Sequence, residues 1–131
     1  MDIYAQNILD RYKNPLHKDK KLDATASRKE ANHSCGDSIE INLKIEGDKA
    51  IGYSFAGAGC AISMASADML GDLIHDMTTD EILALKKEDI YEMLGIEISL
   101  RRSKCALLSL ITIQNALIEK QEKLKSWTDY I

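Results

Sequence analysis

The sequence predicts an α+β fold: a small antiparallel sheet of about three strands with helices packed on one face. Three observations carry this. Residues 38–46 and 51–55 alternate apolar and polar side chains with a period of two. The segments on either side repeat apolar residues every three or four positions. The order is helix, strands, then helices, rather than strands and helices in strict alternation. At 131 residues the chain fits one domain, which usually runs ~100–200 residues. No linker, repeat or low-complexity tract divides it, so residues 1–131 are read as a single domain.

Each element has its own signal. Tyr4, Ile8 and Tyr12 fall every four residues and predict a helix over 2–13. Asn14-Pro15 stops it, because the residue before a proline is pushed out of the α region. Residues 16–34 read as a polar loop with a short strand near 23–27. Ile39, Ile41, Leu43 and Ile45 alternate with Glu40, Asn42, Lys44 and Glu46 and define a half-buried strand. After Gly47-Asp48-Lys49 the alternation resumes at Ile51, Tyr53 and Phe55, the pattern of an antiparallel hairpin. Gly57-Ala58-Gly59 ends that strand, and 61–75, rich in small residues, predicts a helix. Thr78 or Thr79 caps a short helix reaching about Leu85, with Asp80 and Glu81 suited to its first turn. Lys87–Leu94 is a second short helix, closed by Gly95. The last helix is expected to begin near Ser103. Its apolar stripe is Ala106, Leu110, Ile113, Leu117 and Leu124, and its solvated face is Glu119, Lys120, Glu122 and Lys123.

Composition narrows the function. Net charge is −4 and aromatics are 5%. A nucleic-acid binder would show a basic footprint or stacking platforms, so no nucleic-acid partner is expected. No apolar run approaches the ~18–20 residues of a membrane helix, and the first residues carry no signal-peptide apolar region. A cytoplasmic protein without a membrane partner is expected. Charge is uneven: net +2 over 1–30, −9 over 31–98 and +3 over 99–131. An acidic middle beside basic ends suits docking to a charged protein.

The three cysteines, Cys35, Cys60 and Cys105, stand 25 and 45 positions apart. Such spacing in a reducing compartment points to free thiols, used for metal or thiol chemistry or buried as small hydrophobes. Each falls at an element boundary. Cys35 precedes the first long strand, Cys60 opens a helix, and Cys105 is expected in the first turn of the last one. Helix N-termini carry partial positive charge and free N–H donors that favour a thiolate, and Arg102 and Lys104 add positive charge beside Cys105. Asp37 lies two residues after Cys35, on the same face if both are extended. Three thiolates and one carboxylate would make a four-coordinate site for zinc or iron.

These residues resemble a known family. Cys35-Gly36-Asp37, the run Gly57-Ala58-Gly59-Cys60-Ala61-Ile62-Ser63-Met64-Ala65-Ser66-Ala67, and Arg102-Ser103-Lys104-Cys105 are similar to the motifs of the U-type iron–sulfur cluster assembly proteins, the family of IscU, SufU and the NifU N-terminal domain. The opening Tyr4 to Pro15 also looks like that family's first helix, so the resemblance covers nearly the whole chain. It implies a small α+β scaffold or persulfide carrier rather than a conventional enzyme. Sulfur would come from a pyridoxal-phosphate cysteine desulfurase. In the Isc branch a [2Fe–2S] cluster is built on the three cysteines and passed to apo-proteins. In the SufU branch zinc is held by three cysteines and the aspartate, and sulfur is relayed to a separate scaffold. The matching ligand positions here are Cys35, Asp37, Cys60 and Cys105. Likeness to SufU makes Cys35 the sulfur acceptor; likeness to IscU makes it Cys105. Asp37 is the ligand expected to leave, since carboxylate oxygen holds soft metals less firmly than thiolate.

The chain departs from both branches. Lys104 stands where the Isc branch has histidine, and Glu97-Ile98-Ser99-Leu100-Arg101 lacks the Pro-Pro chaperone motif; both favour SufU. The 45-residue gap from Cys60 to Cys105 is short for the SufU insertion. A structural zinc module or a metal-free thiol enzyme are the other readings. His33 is a weaker candidate ligand, His17 and His75 read as ordinary surface residues, and Met64, Met69 and Met77 read as core.

Overall fold

The computed structural model of the chain describes residues 3–32 and 36–118. Among them the order is α1 (Ile3–Lys13), β1 (Ala26–Asn32), β2 (Asp37–Glu46), β3 (Lys49–Ala58), α2 (Ala61–Ile74), α3 (Thr79–Leu83), α4 (Lys87–Leu94) and α5 (Leu100–Ile118). The three strands form one antiparallel sheet in the order β1-β2-β3. The predicted α+β class and three-stranded sheet are therefore what the chain adopts.

The sheet buries one face. Ile39, Ile41 and Leu43 of β2 and Tyr53 and Phe55 of β3 are buried, while their neighbours on β2 remain at least partly accessible. α5 packs across β1 and β2, and α2 packs against β3 and α5. Burying a side chain such as Phe55 or Leu43 contributes about 1.5–3 kcal/mol. Met64 is buried here, with Met69 and Met77 packed against it, as expected.

Four expectations need correction. The first strand is not near 23–27 but spans Ala26–Asn32. Its core-facing residues include Arg28 and Glu30, which pair with each other at 3.0 Å, and Asn115 of α5 donates to Glu30 at 2.8 Å. A polar network in place of apolar residues leaves no alternation to read. Second, Ile51 does not continue the inward phase of Tyr53 and Phe55. The register with β2 slips between Lys44 and Ile45, so Ile45 faces Ala50, Ala50 is buried and Ile51 is 39% exposed. One extra residue in a strand reverses the faces beyond it. Third, the last helix begins at Leu100, not Ser103, and is buried on all sides from Cys105 to Ala116, rather than on a stripe. It runs between sheet and helices, so both flanks need apolar or hydrogen-bonded side chains. The stripe residue Leu124 and the face Glu119 to Lys123 lie outside the described residues.

Fourth, His17 is no ordinary surface residue. Its Nε2 lies 2.8 Å from Asp72 and its ring stands edge-on to Tyr53, while His75 is exposed. Asp68, fully buried in α2, accepts hydrogen bonds from Leu16 N–H (2.8 Å), His17 N–H (2.7 Å) and Arg11 Nη1 (2.6 Å). Arg11 also pairs with Asp72. This cluster straps the segment after Pro15 to α2. From there residues 17–19 run beside β3, with Phe55 N–H donating to His17 O and Asp19 N–H to Phe55 O. The strand edge next to the core is thus paired rather than open.

Candidate metal centre

The site forms where the end of the sheet meets two helices. Asp37 opens β2, Cys60 precedes α2, and Cys105 sits on α5. Their ligand atoms all lie within 4.8 Å of one another. A tetrahedral ion bound at ~2.3 Å by sulfur separates its ligands by about 3.7 Å, so the three atoms stand at most about 1 Å too wide.

Local chemistry explains each placement. Cys60 has extended dihedrals (φ −71°, ψ 168°) and is the N-cap of α2, its Sγ accepting Ser63 N–H at 3.4 Å. This bears out the expectation that Cys60 opens a helix, where sulfur meets a free backbone donor. Asp37 is 2% exposed, and its Oδ1 accepts Cys60 N–H at 3.0 Å. That bond ties the strand ligand to the helix ligand. It requires Gly59: a Cβ there would stand 2.5 Å from Asp37 Oδ1. Gly57 has φ 141°, and a Cβ on it would strike the Ser38 carbonyl, so only glycine lets the chain turn from β3 into this loop.

Cys105 is 1% exposed. Because α5 starts at Leu100, Cys105 is in its second turn, not its first as expected. Helix geometry puts Arg102, three residues earlier, on nearly the same side as Cys105, while Lys104 is rotated by about 100°. Both basic side chains are exposed, so the positive charge lies at the rim rather than against the sulfur. Cys35, the fourth expected ligand, and His33 lie outside the described residues.

Among the described residues, three buried side-chain atoms lack a hydrogen-bond partner: Asp37 Oδ2, Asn32 Nδ2 and Ser63 Oγ. All three belong to the site or adjoin it. Buried orphans are rare because each costs about 1–3 kcal/mol, and an unpartnered carboxylate oxygen on a residue that lies beside two thiols is what a metal ion would satisfy. The donor set, sulfur with one carboxylate, suits zinc or an iron–sulfur centre. Asn32 and Ser63 escaped sequence reasoning; only their positions, within four residues of a predicted ligand, could have drawn attention to them. A groove of about 680 Å³ lies nearby on the outer face of the sheet, lined by Lys29, Ser38, Glu40 and Ala56 among others, and holds none of these ligands.

Comparison with known proteins shows the family. The family model described as NifU-like N terminal domain matches residues 3–126. The zinc-dependent sulfurtransferase SufU of Bacillus subtilis is 30% identical, over 91% of this chain and 92% of its own length. The iron–sulfur cluster assembly scaffold protein IscU of Thermotoga maritima is also 30% identical, over 88% and 92%. Among solved structures, an iron–sulfur cluster assembly scaffold protein for the SUF system from Fervidobacterium islandicum superposes with a TM-score of 0.75 at 26% identity, covering 86% of this chain and 94% of that one.

Proposed function

The chain belongs to the NifU-like N-terminal domain family, and from that premise we propose that it is an iron–sulfur cluster assembly protein that receives sulfur at a Cys3Asp metal site. The observation that carries the reading is the convergence of Asp37, Cys60 and Cys105 from three separate elements. Cys35 completes the set. Zinc, when bound, keeps its thiol ligands deprotonated.

The chain's own residues do the rest. The Cys35 thiolate attacks the outer sulfur of a persulfide on a pyridoxal-phosphate cysteine desulfurase. A new S–S bond forms on Cys35, the donor's S–S bond breaks, and the donor cysteine leaves as thiolate. Burial of Asp37 and Cys105 limits water at the ligands, and the Cys60 N-cap holds one sulfur in place. Exposed Arg102 and Lys104 support docking and meet the incoming charge. Sulfur then passes to a separate scaffold.

The second reading is an Isc-type scaffold, on which a transient [2Fe–2S] cluster is the cargo for apo-proteins and Cys105 takes the sulfur. The short link between Cys60 and Cys105, which holds only α3 and α4 after α2, favours it. Both place the protein in the cytoplasm; among the described residues no helix is long and apolar enough to cross a membrane. Incubation with a desulfurase and cysteine, with and without zinc, tests the choice. A relay shows zinc-stimulated turnover and persulfide mass on Cys35. Zinc inhibition, persulfide on Cys105 and a cluster that survives desalting would reverse it.

A further inference from the structure

Asn32 ends β1 and its register partner is Asp37. Directly opposed residues in an antiparallel pair point to the same face, with Cβ atoms about 4.5–5.5 Å apart. Asn32 is 3% exposed and Asp37 is 2% exposed. Each carries one unpartnered buried atom: a donor, Asn32 Nδ2, and an acceptor, Asp37 Oδ2. The other carboxylate oxygen is engaged by Cys60 N–H. A lone amide donor and a lone carboxylate acceptor thus stand as cross-strand neighbours without bonding to each other.

This pairing has a consequence for a site that must release one ligand. We propose that Asn32 is a positioning residue that receives Asp37 Oδ2 when this oxygen comes off the metal. The carboxylate alternates between two partners, ion and amide, while Oδ1 keeps its bond to Cys60 N–H as the pivot. No proton moves; with zinc bound, the coordination position that Asp37 gives up would be open to an incoming sulfur. The amide stabilises only the released state. In the bound state it stays unpaired, which keeps the two states close in energy. The inference rests on Asp37 being a metal ligand, as in the function proposed above.

The direction of the effect is unusual. Removing a polar group beside a metal site ordinarily weakens binding. Here Asn32→Leu, similar in size and without a donor, is expected to tighten zinc binding and slow its release, by about tenfold for one hydrogen bond to a charged acceptor. Asn32→Ala should act in the same direction. The measurement is zinc release from the full chain into excess chromophoric chelator, for wild type, Asn32→Leu, Asn32→Ala, Asp37→Ala and the double variant Asp37→Ala/Asn32→Leu. With Asp37 gone, Asn32→Leu should change nothing, a coupling that a merely structural role would not produce. Unchanged or faster release from both Asn32 variants, or the same effect without Asp37, overturns the inference. Wild-type protein that takes up no zinc, or zinc held equally by Asp37→Ala and wild type, overturns the underlying site reading instead.

Discussion

At the scale of single residues, the site depends on contacts with little tolerance. Gly59 is the clearest: any side chain there meets Asp37 Oδ1. Gly59→Ala should therefore displace the carboxylate, break the Cys60 N–H···Asp37 bond and lower metal affinity by about tenfold or more, since a hydrogen bond to a charged group is at stake; metal competition reads this directly. Asp68 plays the corresponding part away from the site. It serves three donors, so Asp68→Ala leaves the Leu16 and His17 N–H groups without their acceptor and Arg11 with Asp72 alone. A loss of about 1–3 kcal/mol is expected in denaturant unfolding, the cost of leaving buried donors unsatisfied. The strap also gives a pH dependence. At Asp72 partial burial works to raise the carboxyl pKa, but hydrogen bonds and charge from His17 and Arg11 outweigh it and hold the group below 3.8. A depressed folded-state pKa contributes stability above the unfolded value and loses it as pH falls through the folded one. Stability should therefore decline below pH 3.8, and Asp72→Asn should make that part of the acid profile shallower. Cys60 and Asp37 were legible as candidate ligands from residue type and position, and the structure brings them together with Cys105. Gly59's role and the Asp68 strap were not, because both are contacts between residues more than twenty positions apart.

At the scale of elements, legibility followed the origin of each signal. β2 shows clean alternation because one of its faces meets apolar side chains and the other water, and its predicted bounds hold to within a residue. α4 was bounded by its own Gly95, which adopts φ 72° as a left-handed cap. Thr78 caps α3 with Glu81 reaching back, a capping box written in four consecutive residues. β1 was misplaced because its partners are hydrogen-bonding side chains from α5, and a polar interior has no hydropathy pattern. α5 started three residues early because Leu100, 89% exposed, belongs to the helix but to no apolar stripe. One prediction belongs here. Gln114 of α5 is fully buried, and its Nε2 donates to the carbonyls of Ile82 and Leu85 at 3.0 Å. These are the end of α3 and the residues after it. Gln114→Ala removes this donor from the Leu85 carbonyl and leaves Ile82 O with the Leu85 N–H alone, so a cost of about 1–3 kcal/mol is expected. Hydrogen exchange should rise first over residues 79–85, ahead of global unfolding.

At the scale of the whole molecule, three layers of construction meet at one end. The sheet supplies Asp37, the helix after it supplies Cys60, and the central helix supplies Cys105, so the site exists only when all three are packed. Metal binding and folding are then linked. Zinc removal should lower the melting temperature, and it should loosen residues 36–37, 57–63 and 102–106 more than α3 or α4. Unchanged melting after chelation would contradict that linkage. The class of fold was readable because it depends on alternation and order, which are local. The site was readable as a set of residue types, but its closeness in space required the fold. The central claim is that these scattered residues form one metal site, and cobalt(II) titration of the full chain tests it most directly. Thiolate-to-cobalt absorption should rise to an endpoint at about one equivalent, with a tetrahedral visible spectrum. Cys35→Ser, Cys60→Ser and Cys105→Ser should each remove about a third of the charge-transfer intensity, and Asp37→Ala should leave it nearly whole. No endpoint near one equivalent, or full intensity without Cys60 or Cys105, would contradict the account.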